Sequence, residues 1–197
     1  MITQQVTGVV LAAGGSSRFG TAKQVLPYRN TTLLGATLDV ARGCGFDQII
    51  VTVGGAEHAV RDAVALDGID VVAVEDFGTG CSASLRVALG DVRPGVTAIV
   101  LMLGDQPGVD TTTVHRLMAE GKSHPVIVCR YTNGLGHPFW FSRSVFGELM
   151  QLHGDKGVWK LLHSGRLPVH ELTVDAAVPL DVDTWADYQR LVESGSS

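Results

Sequence analysis

Apolar and polar positions alternate along this chain in two rhythms. Short, nearly unbroken apolar runs occur at Gly8–Ala13 (GVVLAA), Gln48–Gly54 (QIIVTVG), Asp70–Glu75 (DVVAVE), Ala98–Gly104 (AIVLMLG) and Val126–Cys129 (VIVC). Continuous hydrophobicity rich in Val and Ile is what a strand covered on both faces requires, so each run is predicted to be a buried strand. Between them lie TTLLGATLDVARGCG from Thr31, AEHAVRDAVAL from Ala56, SASLRVAL from Ser82 and TTTVHRLMAEG from Thr111, with apolar residues at helical spacing. Thr31 or Thr32 is placed to cap the first helix and Gly43 or Gly45 to end it. Strand and helix in strict alternation predict a Rossmann-like, doubly wound α/β domain: a mostly parallel sheet with helices on both faces.

After about residue 130 the rhythm loosens. The stretch RYTNGLGHPFWFSRSVF, from Arg130, mixes turn residues with aromatics and shows no period, so no element is predicted there. RSVFGELMQL and KGVWKLLHS then read as helices, PVHEL as a strand and TWADYQRLVES as a closing helix. No linker or repeat interrupts the pattern. The expectation is one domain over residues 1–193 followed by a disordered tail over 194–197.

Composition narrows the class. The chain has 197 residues, 45% hydrophobic and 18% charged, enough for a sizeable single core. A net charge of -5 without runs of either sign gives no nucleic-acid footprint. Cys44, Cys81 and Cys129 are far apart and never in C-x-x-C spacing, which argues for a reducing compartment and against disulfides or structural zinc. The opening MITQQVTGVVLAAGG has no cationic leader region, and its apolar run is too short for a bilayer. A cytoplasmic protein without a membrane partner is expected.

Chemistry concentrates in LAAGGSSRFGTAKQVLP, Leu11 to Pro27, at the end of the first predicted strand. Its spacing is neither that of a P-loop nor that of a dinucleotide fingerprint. In a doubly wound sheet, however, ligands bind beyond the carboxyl ends of the strands. Gly14 and Gly15 permit positive φ, which would let successive N–H groups turn toward one anion. Arg18 can grip phosphate oxygens bidentately, and Lys23 adds a point charge. The alternative is an ordinary Gly/Ser loop with two solvated cations. Asp105, just past another strand end, is placed to hold Mg²⁺ against phosphates, or simply to form the turn before Pro107. Asp181 and Asp183 alternate on one face, though Asp183 or Thr184 could equally cap the last helix. Gly80, Ser82 and Ser84 stand at a helix mouth, where hydroxyls meet a nucleotide or only cap the helix. His137, before Pro138, is either a structural histidine or an acceptor contact.

These residues carry a resemblance. LAAGGSSRFGTAKQVLPY resembles the signature L-A-A-G-x-S-x-R-M-G-x-x-K-x-L-L-P of Rossmann-like nucleotidyltransferases, departing at Phe19 and Val25. The resemblance implies that Leu11, Ala12, Ala13, Gly14, Gly15 and Ser16, with Arg18 and Lys23, hold the triphosphate of an NTP. It implies that D-Q-P at Asp105 binds metal and that D-V-D-T, similar to D-I-D-T-P-E-D, adds Asp183; Trp185 replaces the usual Pro. GCSASLR is similar to G-M-S-x-S-L-R of the molybdenum cofactor cytidylyltransferase-like branch, with Cys81 in place of Met. The G-H-P at His137 and Pro138 and the G-D-K-G around Asp155 and Lys156 point the same way and imply an acceptor-binding role for those four residues. Val158 and Trp159 depart from the usual Ala and Arg. Membership of that branch would imply Mg-dependent transfer of CMP from CTP to the terminal phosphate of molybdopterin cofactor, with Arg18, Lys23 and Asp105 as catalytic groups. A molybdenum hydroxylase would receive the product by transient contact. Three rivals stay open. They are guanylyl transfer to the same cofactor, which the Ala13 of L-A-A-G disfavours; nucleotidyl transfer to a sugar phosphate or another small phosphate; and a maturation chaperone without turnover, which the intact Arg18, Lys23 and Asp105 set disfavours.

Overall fold

The computed structural model describes residues 4–16, 19–76, 78 and 80–194. All the predicted strands form: β1 (Val6–Leu11), β4 (Gln48–Val53), β5 (Asp70–Ala73), β6 (Ala98–Leu103), β7 (Val126–Tyr131) and β9 (Val169–Thr173). A two-residue pair, β2 (Pro27–Tyr28) with β3 (Thr31–Thr32), leads into the first helix. The helices are α1 (Leu33–Gly43), α2 (Glu57–Ala63), α3 (Cys81–Gly90), α4 (Thr111–Glu120), α5 (Phe146–Met150), α6 (Gly157–His163) and α7 (Trp185–Ser194). Thr32 caps α1, its side chain accepting from Gly35 N at 3.0 Å. The closing helix runs through Ser194, one residue past the expected end of the domain.

One further strand, β8 (Gly134–Ser142), joins these in a seven-stranded sheet of order β5-β4-β1-β6-β8-β7-β9. It runs antiparallel to both β6 and β7. It occupies the stretch for which the sequence predicts no element. Two glycines and a proline argue against a central strand, because Pro has no N–H for the ladder. The structure resolves the conflict with an irregularity: Val128 pairs with Phe139, and the next residue, Cys129, pairs with Gly136. His137 and Pro138 fall in the gap, where no ladder bond is needed. Beyond it Phe139, Trp140 and Phe141 are fully buried and alternate between the two faces of the sheet.

Alternation sorts the core into two layers. Val10, Val51 and Met102 pack with Leu38 of α1, Val60 of α2 and Leu117 of α4. Val9, Ile50 and Leu101 pack on the opposite face with Leu85 of α3, Leu149 of α5 and Leu161 of α6. The chain therefore winds from β1 through β4 to β5, then crosses back to β6 on the other side of β1. The strand order reverses between β1 and β6, which is where such sheets bind ligands. Close approach there is built in: a Cβ on Gly104 would lie 2.8 Å from Ala12 Cβ and 3.2 Å from Leu11 O. Among the described residues, no helix is long and apolar enough to cross a membrane.

Candidate active site

At that reversal, beyond the carboxyl ends of β1 and β6, a cavity of about 230 Å³ opens. One wall is the backbone from Leu11 to Gly15, another the turn at Gly104 and Asp105, and the third the start of α3 at Gly80, Cys81 and Ser84. A second cleft of about 290 Å³ adjoins it, lined by Ser16, Phe19 and Asp183. Gly14, Gly15, Lys23 and Asp155 border both. The sequence-predicted loop, the Asp105 turn and the α3 mouth are thus brought to one rim.

Lys23 is the electrostatic centre of that rim. Its Nζ donates to Asp105 Oδ2 at 2.6 Å, to Asp183 Oδ1 at 3.1 Å and to the Val182 carbonyl at 2.9 Å. Burial pulls the Lys23 pKa down, but the Asp105 and Asp183 carboxylates outweigh it and hold it above the ordinary lysine value. The ammonium thus gathers three hard oxygen donors around one cation, and two are carboxylates. Such a set fits Mg²⁺ or Mn²⁺, which take one or two carboxylates and complete their shells with substrate phosphates. Among the described residues no cluster of three or more His, Cys, Asp or Glu side chains could hold a metal without such help.

The structure separates Asp181 from Asp183. Thr184 and Asp187 bond reciprocally at the start of α7: Asp187 N donates to Thr184 Oγ1 at 3.2 Å, and Thr184 N donates to Asp187 Oδ2 at 2.8 Å. That reciprocal cap relieves Asp183 of capping duty, and its carboxylate turns to Lys23. Asp181 does not touch Lys23. Partial burial, and then the charges of Asp105 and Asp183, push its carboxyl up to about 6.

Several expectations need correcting. Among the described residues of the loop, the left-handed positions are Ser16 (φ 48°) and Gly20 (φ 68°), not Gly14, around which an added Cβ would find nothing within 4 Å. Gly14 thus leaves room for a ligand to approach the backbone closely and does not serve a strained turn. Ser16 works inside the loop: its Oγ accepts from Lys23 N at 3.1 Å and donates to Gln24 Oε1 at 3.2 Å. Ser82 is buried, donating to the Gly154 carbonyl at 2.5 Å, and lines neither cleft. Ser84 does line the cavity. Arg18 lies outside the described residues. Asp155 borders both clefts and accepts from Cys81 N at 3.2 Å, fixing the α3 mouth. There Gly80 (φ 104°) has no room for a Cβ, which would sit 2.6 Å from Asp155 N. Lys156 is exposed beside Asp155 and borders neither cleft.

His137 and Pro138 also border neither cleft. His137 is buried, stacks 4.0 Å from the Phe139 ring, and gives its carbonyl to Tyr131 Oη at 2.7 Å. Burial lowers its pKa to about 3, so the imidazole is neutral and supplies no cation for an acceptor phosphate. The unfolded chain protonates this group near its ordinary value of 6.5, so the folded state binds fewer protons between pH 6.5 and 3. Stability attributable to His137 is therefore complete above pH 6.5 and falls as the pH drops through that window, by at most about 1.4 kcal/mol per pH unit. Urea titrations of His137→Gln should show a shallower acid slope than wild type. Turnover should stay within a few-fold of wild type; a hundredfold loss in a folded variant would restore His137 to the site.

Sequence reasoning passed over Gln24. It is buried beneath the loop and bonded to it at three points. The only signal was a polar residue wedged between Lys23 and the apolar Val25.

Known proteins share this architecture. The crystal structure of Rv0371c from Mycobacterium tuberculosis H37Rv superposes with a TM-score of 0.94 at 67% identity, over 98% of this chain and 100% of that one. A structure of Rv0371c in complex with manganese gives 0.89 at 65% identity, over 97% and 100%. Nicotine blue oxidoreductase of Paenarthrobacter nicotinovorans is 31% identical over 130 residues, which are 65% of this chain and 63% of that protein. The purine catabolism protein PucB of Bacillus subtilis is 28% identical over 200 residues, 95% of this chain and 96% of that protein. More distant structures show the nucleotide-diphospho-sugar transferase fold. The family model of the MobA-like NTP transferase domain matches residues 8–171. The chain belongs to that family, and it is a nucleotidyltransferase.

Proposed function

We propose that the protein transfers CMP from CTP to the terminal phosphate of molybdopterin cofactor, releasing pyrophosphate. The observation that carries this reading is the rim at which Lys23, Asp105 and Asp183 meet the backbone of Ala13–Gly15, between two adjoining clefts. The nucleotide occupies the cavity at the α3 mouth, with Gly80 and Ser84 against its nucleoside. Its β- and γ-phosphates lie along the loop amides under Lys23. The acceptor enters the second cleft, where Phe19, backed by Trp185 with ring centroids 5.1 Å apart, offers an aromatic face to a flat pterin. Its phosphate oxygen, already anionic, attacks the α-phosphorus in line. A new P–O bond forms to the acceptor, the bond from the α-phosphorus to the bridging oxygen breaks, and pyrophosphate leaves with that oxygen and its electron pair. No side chain needs to take a proton. The chain's part is to hold the reacting oxygens in line and to place Lys23 where negative charge grows on the leaving group.

Asp105 and Asp183 are the residues that would hold a divalent metal, and the manganese complex of Rv0371c agrees with the use of such an ion. When bound, it would neutralise charge on the phosphate oxygens. The LAAG opening and the G-H-P and G-D-K-G blocks support the cytidylyl branch. The name of PucB as a purine catabolism protein agrees with a recipient hydroxylase of the xanthine dehydrogenase type.

Purified protein with Mg²⁺, molybdopterin cofactor and each ribonucleotide in turn should release pyrophosphate with CTP alone, and not when the cofactor is omitted. Release with GTP would move the assignment to guanylyl transfer. Release with a sugar phosphate in place of the cofactor would displace the acceptor.

A further inference from the structure

Beneath the loop after β1 sits a polar side chain that touches no substrate in this mechanism. Gln24 is 3% exposed. Its Nε2 donates to Ala12 O at 2.8 Å and to Gly14 O at 2.9 Å, while Oε1 accepts from Ser16 Oγ at 3.2 Å. Carbonyl oxygens only accept, so the orientation of the amide is fixed by its partners. Both of its donors and its acceptor are engaged inside the protein, which makes it a rigid tie.

The tie has a geometric consequence. In a trans peptide the C=O of one residue and the N–H of the next point in opposite directions. The one cis bond among the described residues is His137–Pro138, so the loop peptides are trans. With Ala12 O and Gly14 O held down on Gln24, the N–H groups of Ala13 and Gly15 point away from it. Ala13 and Gly15 line the cavity, and neither N–H donates to a partner among the described residues. Alternate amides directed at one space form an anion-binding concavity. The same tie reaches Lys23 through Ser16, whose Oγ accepts from Lys23 N at 3.1 Å.

We infer that Gln24 is the positioning residue of the phosphate cradle, aiming the Ala13 and Gly15 amides at the polyphosphate of the nucleotide by anchoring the carbonyls of Ala12 and Gly14. This rests on reading the cavity as a triphosphate site. Gln24 borders the cavity, but both of its donors and its acceptor are engaged within the loop, so its amide has no hydrogen left for a phosphate. It removes the freedom of the peptides to rotate and present carbonyl oxygens to an anion, an arrangement that would repel it.

The test uses inorganic tripolyphosphate with Mg²⁺, a probe that does not depend on base or acceptor. It is titrated into the full chain by calorimetry and by amide NMR. In wild type, the Ala13 and Gly15 amide resonances should move downfield with the binding isotherm. Gln24→Met keeps the volume and removes both donors; it should bind roughly 10- to 100-fold more weakly and lose those two shifts. Gln24→Glu, which cannot donate, should behave the same way. Wild-type affinity and amide shifts in a folded Gln24→Met would overturn the inference. If that variant fails to fold, the wild-type spectrum decides alone: binding without movement of Ala13 and Gly15 would refute the aimed amides. Absence of binding of tripolyphosphate and of every nucleoside triphosphate by wild type would instead sink the triphosphate reading beneath it.

Discussion

Replacing Lys23 by Ala should lower turnover by roughly 100- to 1000-fold, the loss typical of removing one preorganised group from developing charge. The residue serves two states of the site. Without substrate its ammonium, 12% exposed in its side chain, neutralises Asp105 and Asp183 together. In the proposed reaction it would turn to the phosphates, and Asp105 and Asp183 would be left to hold a metal. A cation would thus be exchanged for a cation, and the rim would not hold two bare carboxylates side by side. The exchange gives a second expected result that separates it from simple damage. In Lys23→Ala the carboxylates lose their resident cation, so Mn²⁺ should bind the nucleotide-free protein more tightly than it binds wild type, even as turnover collapses. Steady-state kinetics and a Mn²⁺ titration of the same preparation check both. Equal Mn²⁺ affinity in the two proteins would mean that lysine and metal do not share a place.

Asp105→Asn should be the other severe variant. Asn has the shape and turn chemistry of Asp, so the chain before Pro107 should keep its course. What goes is the charge on the carboxylate nearest Lys23. Electrostatic stabilisation by a bound metal is worth several kcal/mol. Losing about 4 kcal/mol of it slows turnover roughly 1000-fold. Lys23 keeps Asp183 and the Val182 carbonyl as partners, so no buried charge is stranded and the fold should survive. Circular dichroism unchanged from wild type, with Mg²⁺-dependent turnover gone, is the expected pair of observations. Full activity in Asp105→Asn would reduce Asp105 to a turn former and move the metal elsewhere.

Where the sequence was legible, burial on two faces made it so. Strands such as Ala98–Leu103 have no polar face to interrupt the apolar run, whereas the switch between β1 and β6 shows only in the folded sheet. The strand Gly134–Ser142 was hidden because its Gly and Pro residues signal turns, and only an irregular register makes room for them. The resemblance pointed to Lys23 and Asp105, which the fold brings together from positions 82 residues apart. It favoured Asp183, where the alternation of carboxylates alone could not choose between Asp181 and Asp183. The structure bears on that choice because Thr184, paired with Asp187, caps the last helix and frees Asp183, a pairing invisible in a pattern of alternating carboxylates. His137 was overread for a related reason: a motif marks a position, not the direction in which its side chain packs. Gln24 was underread because its role lies in hydrogen bonds to backbone carbonyls, and these leave no pattern in the sequence.

The most direct test tracks two labels through one reaction. The protein is incubated with Mg²⁺, molybdopterin cofactor and CTP carrying radioactive phosphorus at either the α or the γ position, and the products are separated. Nucleotidyl transfer predicts the α label in the cofactor product and the γ label wholly in pyrophosphate. A γ label found on the acceptor or as free orthophosphate would make the protein a kinase or a phosphatase, and would contradict the account at its centre.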